Sequence, residues 1–352
     1  FRLGGGQFPS LTCFEVHISG LKATTMASSL ELQTQVRWPR STWCVLVLLL
    51  LFSGAAFGCS TSEGDPRAGD TSVSSPDSAS TILFIRGGPG TGGFLEGGSD
   101  GQLSSIADAG TTRGNHGWAT LAETLREMGF TLEEIREQPV SNGIPTPIGF
   151  DRMDMNAYAV IVLASNNAAY DPDHVDAVME YIRSGGGVLF ISDANFGQDW
   201  SDAPTSDQAF LDRLGLVMNQ DRGTYSISRG EFANPSHPIL DSVSAFDGEG
   251  VSPVTVGSTP DGVSVSILAN AQGQVRRNDS ASGQGSSTRA TERDAALAVG
   301  TLDTGRFAVH FDRNTFFNPN GAGTDITRFD NRTLAKNLFG WLAGSPSLRR
   351  GE

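Results

Sequence analysis

The chain has 352 residues, 43 of them glycine, with 18% charged side chains and a formal net charge of −14. That is a globular composition, long enough for one large or two small domains with a sizeable core. An acidic balance of this size argues against polyanionic partners, and nucleic-acid binding is set aside on that ground.

The first 58 residues read as an address rather than as fold. Trp43 to Phe52 is a run of ten apolar residues, preceded by Arg37 and Arg40 and followed by the small-residue stretch Ser53-Gly54-Ala55-Ala56-Phe57-Gly58-Cys59. A charged region, an apolar region and a cleavage region in that order describe an export signal, and ten residues fall short of the roughly 20 needed to span a bilayer. Met26 places both arginines in a normal n-region, so residues 26–58 are expected to be the signal peptide and residues 1–25 upstream translation. Small residues, then Cys59, then Ser60 resemble the lipobox of bacterial lipoproteins sorted to the outer membrane, where the Cys sulfur carries the lipid. The alternative is cleavage after Gly58 to give a soluble periplasmic protein. Residues 59–80 are too polar to fold and read as a tether.

Cys13 and Cys44 precede the cleavage point, which leaves Cys59 alone in the mature chain. An intrachain disulfide is then impossible, and no thiol remains in the folded part to act as nucleophile or metal ligand.

From Thr81 onward, apolar strands alternate with amphipathic helices, the pattern of a parallel sheet covered on both faces. Thr81–Ile85 is the first strand. Eleven glycines lie from Gly87 to Gly117, and a helix begins near Asn115 with Trp118, Leu121, Ala122, Leu125 and Met128 at helical spacing. Phe130–Ile135 and Tyr158–Leu163 are the next strands. Asp171-Pro172-Asp173 opens a helix carrying Val175, Val178, Met179 and Ile182; His174 there reads as a solvated residue. Val188–Ile191 is a fourth strand, and a short helix follows around Gln208–Leu214. Residues 224–299 alternate Val, Ser and Thr between Gly and Asn breaks, which predicts a β-rich insertion. Arg306–Phe311 returns to the sheet, Leu334–Leu342 is a closing helix, and residues 345–352 are a tail.

The run Gly185-Gly-Gly-Val-Leu-Phe-Ile-Ser-Asp193, then His237-Pro-Ile-Leu240 with Phe246 and Glu249, then Gly305-Arg-Phe-Ala-Val with Asp312 and Phe316-Phe-Asn318, and last Asn331 through Asn337-Leu-Phe-Gly-Trp341, resembles the class I glutamine amidotransferase-like superfamily, in particular its uncharacterised and trehalose-utilisation-like branches. The resemblance spans about residues 81–344. It implies one α/β domain, a flavodoxin-like three-layer sandwich with a mainly parallel central sheet. Active members of that superfamily carry a Cys on the turn after a central strand. Here that strand ends at Asp193, so thiol-dependent glutamine hydrolysis is excluded.

Gly88-Pro89-Gly90-Thr91-Gly92-Gly93 satisfies a dinucleotide-binding pattern, yet the helix that pattern needs begins more than twenty residues later, so it reads as a glycine-rich loop rimming a site. Ser165 and Ser192 lie outside any nucleophile-elbow pattern and read as strand-end hydrogen bonders. Open α/β sheets bind ligands at the carboxyl ends of their strands. The polar residues expected there are Arg86, Asn115, His116, Asn166, Asn167, Asp193, Asn195, His310, Asp312 and Asn314. Asp193 and Asp312 with His116 would suit an acid–base set or a divalent metal, and no organic cofactor is implied. Asp193 and Asp312 also suit turn capping, and His310 suits a packed strand position. Phe316 and Phe317 suit either a sugar ring or a packed turn. Three functions follow as expectations: a lipid-anchored envelope domain binding a small polar ligand such as a carbohydrate, a hydrolase using Asp193, Asp312 and His116, or a structural envelope module.

Overall fold

The computed structural model describes residues 80–87, 104–110, 116–139, 145–164, 168–192, 207–219, 223–276, 287–319 and 323–344. Its first half contains β1 (Thr81–Arg86), α1 (Ala119–Glu127), β2 (Thr131–Arg136), the short strands β3 (Gln138–Pro139) and β4 (Pro145–Thr146), β5 (Val160–Ala164), α2 (Pro172–Arg183), β6 (Gly187–Ile191) and α3 (Asp207–Asp212). There follow β7 (Leu216–Met218), β8 (Thr224–Ser228), β9 (Ala245–Glu249), β10 (Val254–Val256), β11 (Val263–Asn270), β12 (Gln274–Arg276), β13 (Ser287–Arg289), β14 (Asp294–Leu302), β15 (Gly305–His310) and α4 (Asn331–Leu342).

Nine strands form one mixed sheet. Its parallel part runs β2-β1-β5-β6-β15, and β14, β10, β7 and β11 continue it antiparallel. The parallel strands are apolar on both sides because both sides are covered. Ile82, Phe84, Val160, Val162, Leu189 and Ile191 pack with α1 and α4. Leu83, Ile85, Ile161, Leu163, Val188 and Phe190 pack with α2 and α3. The β-rich segment 224–299 is not a separate body: β10, β11 and most of β14 belong to the central sheet, while β8–β9 and β12–β13 form two-stranded ribbons.

The helix boundaries follow local chemistry. Asp171 caps α2 by accepting from the His174 amide at 3.3 Å, and Pro172 fills the first turn, where no amide is needed. Gly129 and Gly185, at φ +93° and +113°, end α1 and α2 in a backbone conformation that a side chain would oppose. His174 departs from the solvated reading. Its side chain is only 13% exposed, lying 2.8 Å from Asp171 and 3.4 Å from Asp151, with its ring edge-on to Tyr170. α1 starts at Ala119, four residues after the predicted opening at Asn115. It has no side-chain cap of its own.

Gly300 pairs with Phe307 across β14 and β15. A Cβ there would overlap the Ser264 carbonyl oxygen and the Phe307 ring. Backbone on one side and a core ring on the other leave no room for relief, so Gly300→Ala is expected to destabilise the fold by about 1–3 kcal/mol. The urea midpoint of the variant measures this; an unchanged midpoint would show that the two strands separate without cost.

Candidate functional site

β1, β2, β5, β6 and β15 all end at the same edge of the sheet. Two polar clusters form there, one after β15 and one at the ends of β1 and β2.

The β15 cluster is closed. Asp312 is fully buried, and both carboxylate oxygens accept backbone amides: Oδ2 from Glu249 at 2.6 Å and Oδ1 from Asn314 at 2.8 Å. Asn314, half-buried, donates its side-chain amide to the Glu249 carbonyl at 3.0 Å. Gly248 makes this approach possible, since a Cβ would stand 2.7 Å from Asp312 Oδ2. The carboxylate therefore clips β9 to the turn after β15. Beside it, Asp247 is also fully buried, 2.8 Å from the Arg328 guanidinium, and accepts from the Asn331 side chain at 2.8 Å. Burial raises the Asp247 pKa, while Asn331 and Arg328 pull it back. Removing Arg328 would leave that buried charge uncompensated.

His310 is fully buried, its ring centroid 5.0 Å from those of Phe311 and Phe316 and 6.0 Å from that of Phe246. Nδ1 lies 2.8 Å from the Asp312 carbonyl oxygen and 3.2 Å from its amide nitrogen. The shorter contact assigns the proton to Nδ1, and Nε2 has no hydrogen-bond partner. Burial pushes the imidazole down to about 3, against the Asp312 hydrogen bond, so the ring is neutral at pH 7. Ser192 is buried too; its hydroxyl donates to the Ser252 carbonyl at 2.5 Å.

His116 is half-buried and lies against Phe317 at 4.9 Å. Phe316 and Phe317 are core residues, not a sugar platform. The segment after β15 also supplies the cap that α1 lacks. Asn318 accepts from the Thr120 amide at 2.9 Å and donates to the Asp108 carbonyl at 2.6 Å. An amide left without a partner in the first turn of α1 is thus satisfied from nearly 200 residues away.

The second cluster is more open. Arg86 Nε lies 3.0 Å from Glu134 Oε1, with side chains 13% and 18% exposed. Glu134 also accepts from the Ser105 hydroxyl at 3.3 Å and the Ile106 amide at 2.7 Å, which fastens the segment 104–110 to the sheet. Arg136 is the register partner of Arg86. Burial lowers its pKa, the like charge of Arg86 lowers it further, and Glu134 opposes both. Just beyond, Glu137 is fully buried, accepting from the Tyr170 hydroxyl at 2.7 Å and the Ala168 amide at 3.1 Å.

Of the residues expected at this edge, Arg86, His116, His310, Asp312 and Asn314 are described. His310 and Asp312 are there as interior residues, closed to a ligand by the rings and amides around them. Asn115, Asn166, Asn167, Asp193, Asn195, Ser165 and Cys59 lie outside the described residues, as do the signal and all of the tether but Ser80. Sequence reasoning missed Glu134, Arg136, Glu137 and Asn318. The signal for the first three was on the page: charged residues closing a strand, Glu134-Ile135-Arg136-Glu137, where an apolar core face ends. Among the described residues, no three His, Cys, Asp or Glu side chains are grouped to hold a metal ion. None of the described helices is long and apolar enough to cross a membrane. A cavity of about 370 Å³ at the opposite edge, lined by Tyr158, Tyr181, Gly186 and Arg306 among others, holds no acid–base pair; the Tyr181 hydroxyl donates to the Tyr158 carbonyl at 3.0 Å.

The fold is thus a mixed α/β domain with a large, mostly parallel central sheet. No family model matches the chain, and a search of curated proteins found no match. Among solved structures it is similar to the N-terminal domain of mmIFT52, at 13% identity and a TM-score of 0.45 over 76% of this chain and 99% of that one. It is also similar to ThuA-like proteins from Parabacteroides merdae (12% identity, TM-score 0.43, 75% and 90% covered) and Bacteroides uniformis (16%, 0.41, 75% and 91%).

Two variants separate structural from chemical roles. Asp312→Asn turns an amide donor towards a backbone donor and is expected to cost about 2 kcal/mol of stability, read from the urea midpoint; an unchanged midpoint would contradict the clip. For His310, the unfolded ring titrates near 6.5 and the folded one at about 3. Stability is therefore lost as pH falls from 6.5 towards 3, with a limiting slope of about 1.4 kcal/mol per pH unit. His310→Leu should shrink the loss between pH 7 and pH 5, and an equal loss in both proteins would show that the ring protonates in place.

Proposed function

We propose that the chain is a lipid-anchored domain of the bacterial outer membrane. Its folded part is a flavodoxin-like three-layer member of the class I glutamine amidotransferase-like superfamily, binding a small polar ligand at the carboxyl ends of its strands without thiol chemistry. The architecture is supported by the order of the parallel strands. Counted along the chain they run 2-1-3-4-5, with helices on both faces, and such sheets bind ligands where the order reverses, next to β1. Arg86 stands at that point.

The observation that carries binding over hydrolysis is the state of Asp312. A hydrolase built on Asp193, Asp312 and His116 needs a carboxylate that reaches substrate, and both oxygens of Asp312 are taken by the Glu249 and Asn314 amides. A divalent metal at this edge would need Asp193 and partners other than Asp312.

A thermal-shift screen of the full chain against sugars, polyols, organic acids and phosphates tests the reading. Saturable stabilisation without turnover of the bound compound supports it. No stabilisation by any compound favours a structural envelope module, and turnover lost in Asp193→Ala restores the hydrolase. Anchoring is tested separately: Cys59→Ser should move the protein from the membrane to the soluble periplasmic fraction, because the lipid chains are carried by that one sulfur and contribute about 0.8 kcal/mol per buried methylene. Wild-type protein found already soluble would point to cleavage after Gly58.

A further inference from the structure

Four described residues other than glycine hold a positive φ: Ser104, Ser242, Asp303 and Phe329. Ser242, Asp303 and Phe329 are exposed. Ser104, at φ +54°, is only 2% exposed. Its hydroxyl is buried as well and finds no hydrogen-bond partner among the described residues. A left-handed backbone under a side chain and an unsatisfied buried hydroxyl each cost stability, and here both fall on one residue. Thr324 shares the unsatisfied hydroxyl but not the backbone strain.

The surroundings hold Ser104 in this state. Its amide donates to the His116 carbonyl at 2.8 Å, and the carbonyl of the next residue, Ser105, accepts the Trp118 amide at 2.7 Å. The Ser105 hydroxyl and the Ile106 amide are fixed on Glu134 at 3.3 and 2.7 Å. Ser104 is thus clamped between the entry to α1 and the end of β2. It lies in the connection from β1 to α1, beside the point where the strand order reverses. Strain that persists because its surroundings over-determine it belongs with pre-organised contacts at ligand sites.

The chemistry of the contact follows from the group on offer. Arg86 and Glu134 pair with each other at 3.0 Å, whereas the Ser104 hydroxyl is neutral and can give one hydrogen bond and accept others. A ligand hydroxyl matches it in both roles. A carboxylate or phosphate oxygen only accepts, and would stand near the Glu134 carboxylate.

We infer that Ser104 is a ligand-contacting residue of this edge, and that the group it receives is a hydroxyl of an uncharged compound, a polyol or a sugar. The inference rests on the small-ligand reading above and narrows it from polar to neutral and hydroxylated. It assigns the unsatisfied hydroxyl to binding rather than to folding, so its removal weakens the complex and leaves the free protein no less stable.

Urea unfolding of the full chain, with calorimetric titration by glucose, sorbitol and malonate, tests this on the wild type and on Ser104→Ala. The expected result is a midpoint in Ser104→Ala equal to or above that of the wild type, with saturable binding of glucose or sorbitol weakened about tenfold in the variant. Ser104→Gly, which tolerates the left-handed backbone, decides the question of stability if alanine is opposed there by the backbone alone. A midpoint lowered in both variants overturns the inference, because the hydroxyl then serves the fold, as one bonded to a buried water would. Binding of malonate alone, or of neither glucose nor sorbitol, overturns it too. A compound of the thermal-shift screen that binds Ser104→Ala as tightly as wild type would overturn it while leaving the small-ligand reading intact, whereas silence across that screen would remove the reading itself.

Discussion

Burial of the parallel strands on both faces is the constraint from which the rest of this structure follows. Leu83, Phe84, Val160 to Leu163, Val188 to Ile191 and Phe307 to Val309 are all interior, so no polar side chain can stand along these strands without losing water and gaining little. Polar chemistry is pushed to the strand ends. It survives there in two forms: a closed set after β15 whose members satisfy one another, and a half-buried set of charges at the ends of β1 and β2.

The closed set is the clearer lesson in how sequence and structure relate. Asp312 follows an apolar strand at the edge where ligands bind in open α/β sheets, and by position it looks like chemistry. What decides its role is the arrival of β9, with Gly248 allowing contact, so that two amides consume the carboxylate. His310 is decided in the same way, by three phenylalanine rings. Neither environment can be read locally, because Phe246 lies 64 residues before His310 and Glu249 lies 63 before Asp312.

Elements set by local pattern were legible. The runs at β1, β5, β6 and β15, the Asp171-Pro172 opening of α2 and the closing helix α4 all follow from apolar periodicity and cap chemistry. What escaped was supplied from a distance. The start of α1 is fixed by Asn318, and the half-buried state of His174 by Asp151 and Tyr170. β7 and β10 are three residues each; β14 offers β10 an edge and β10 in turn offers one to β7. Glu134 and Arg136 were legible as charges but not as a pair, since only the register of β1 against β2 brings Arg86 beside them.

The account turns on which of the two clusters is open. Amide hydrogen exchange at Glu249 and Asn314 tests that division directly, because each donates to Asp312 and exchanges only when that clip releases. The account predicts that both amides exchange as slowly as the interior amides of β15, through global unfolding alone. Exchange at the rate of a surface loop would contradict it: the clip would then open within the folded state, Asp312 would be free to meet a ligand or a substrate, and the chemistry of this edge would belong at β15 rather than at β1 and β2.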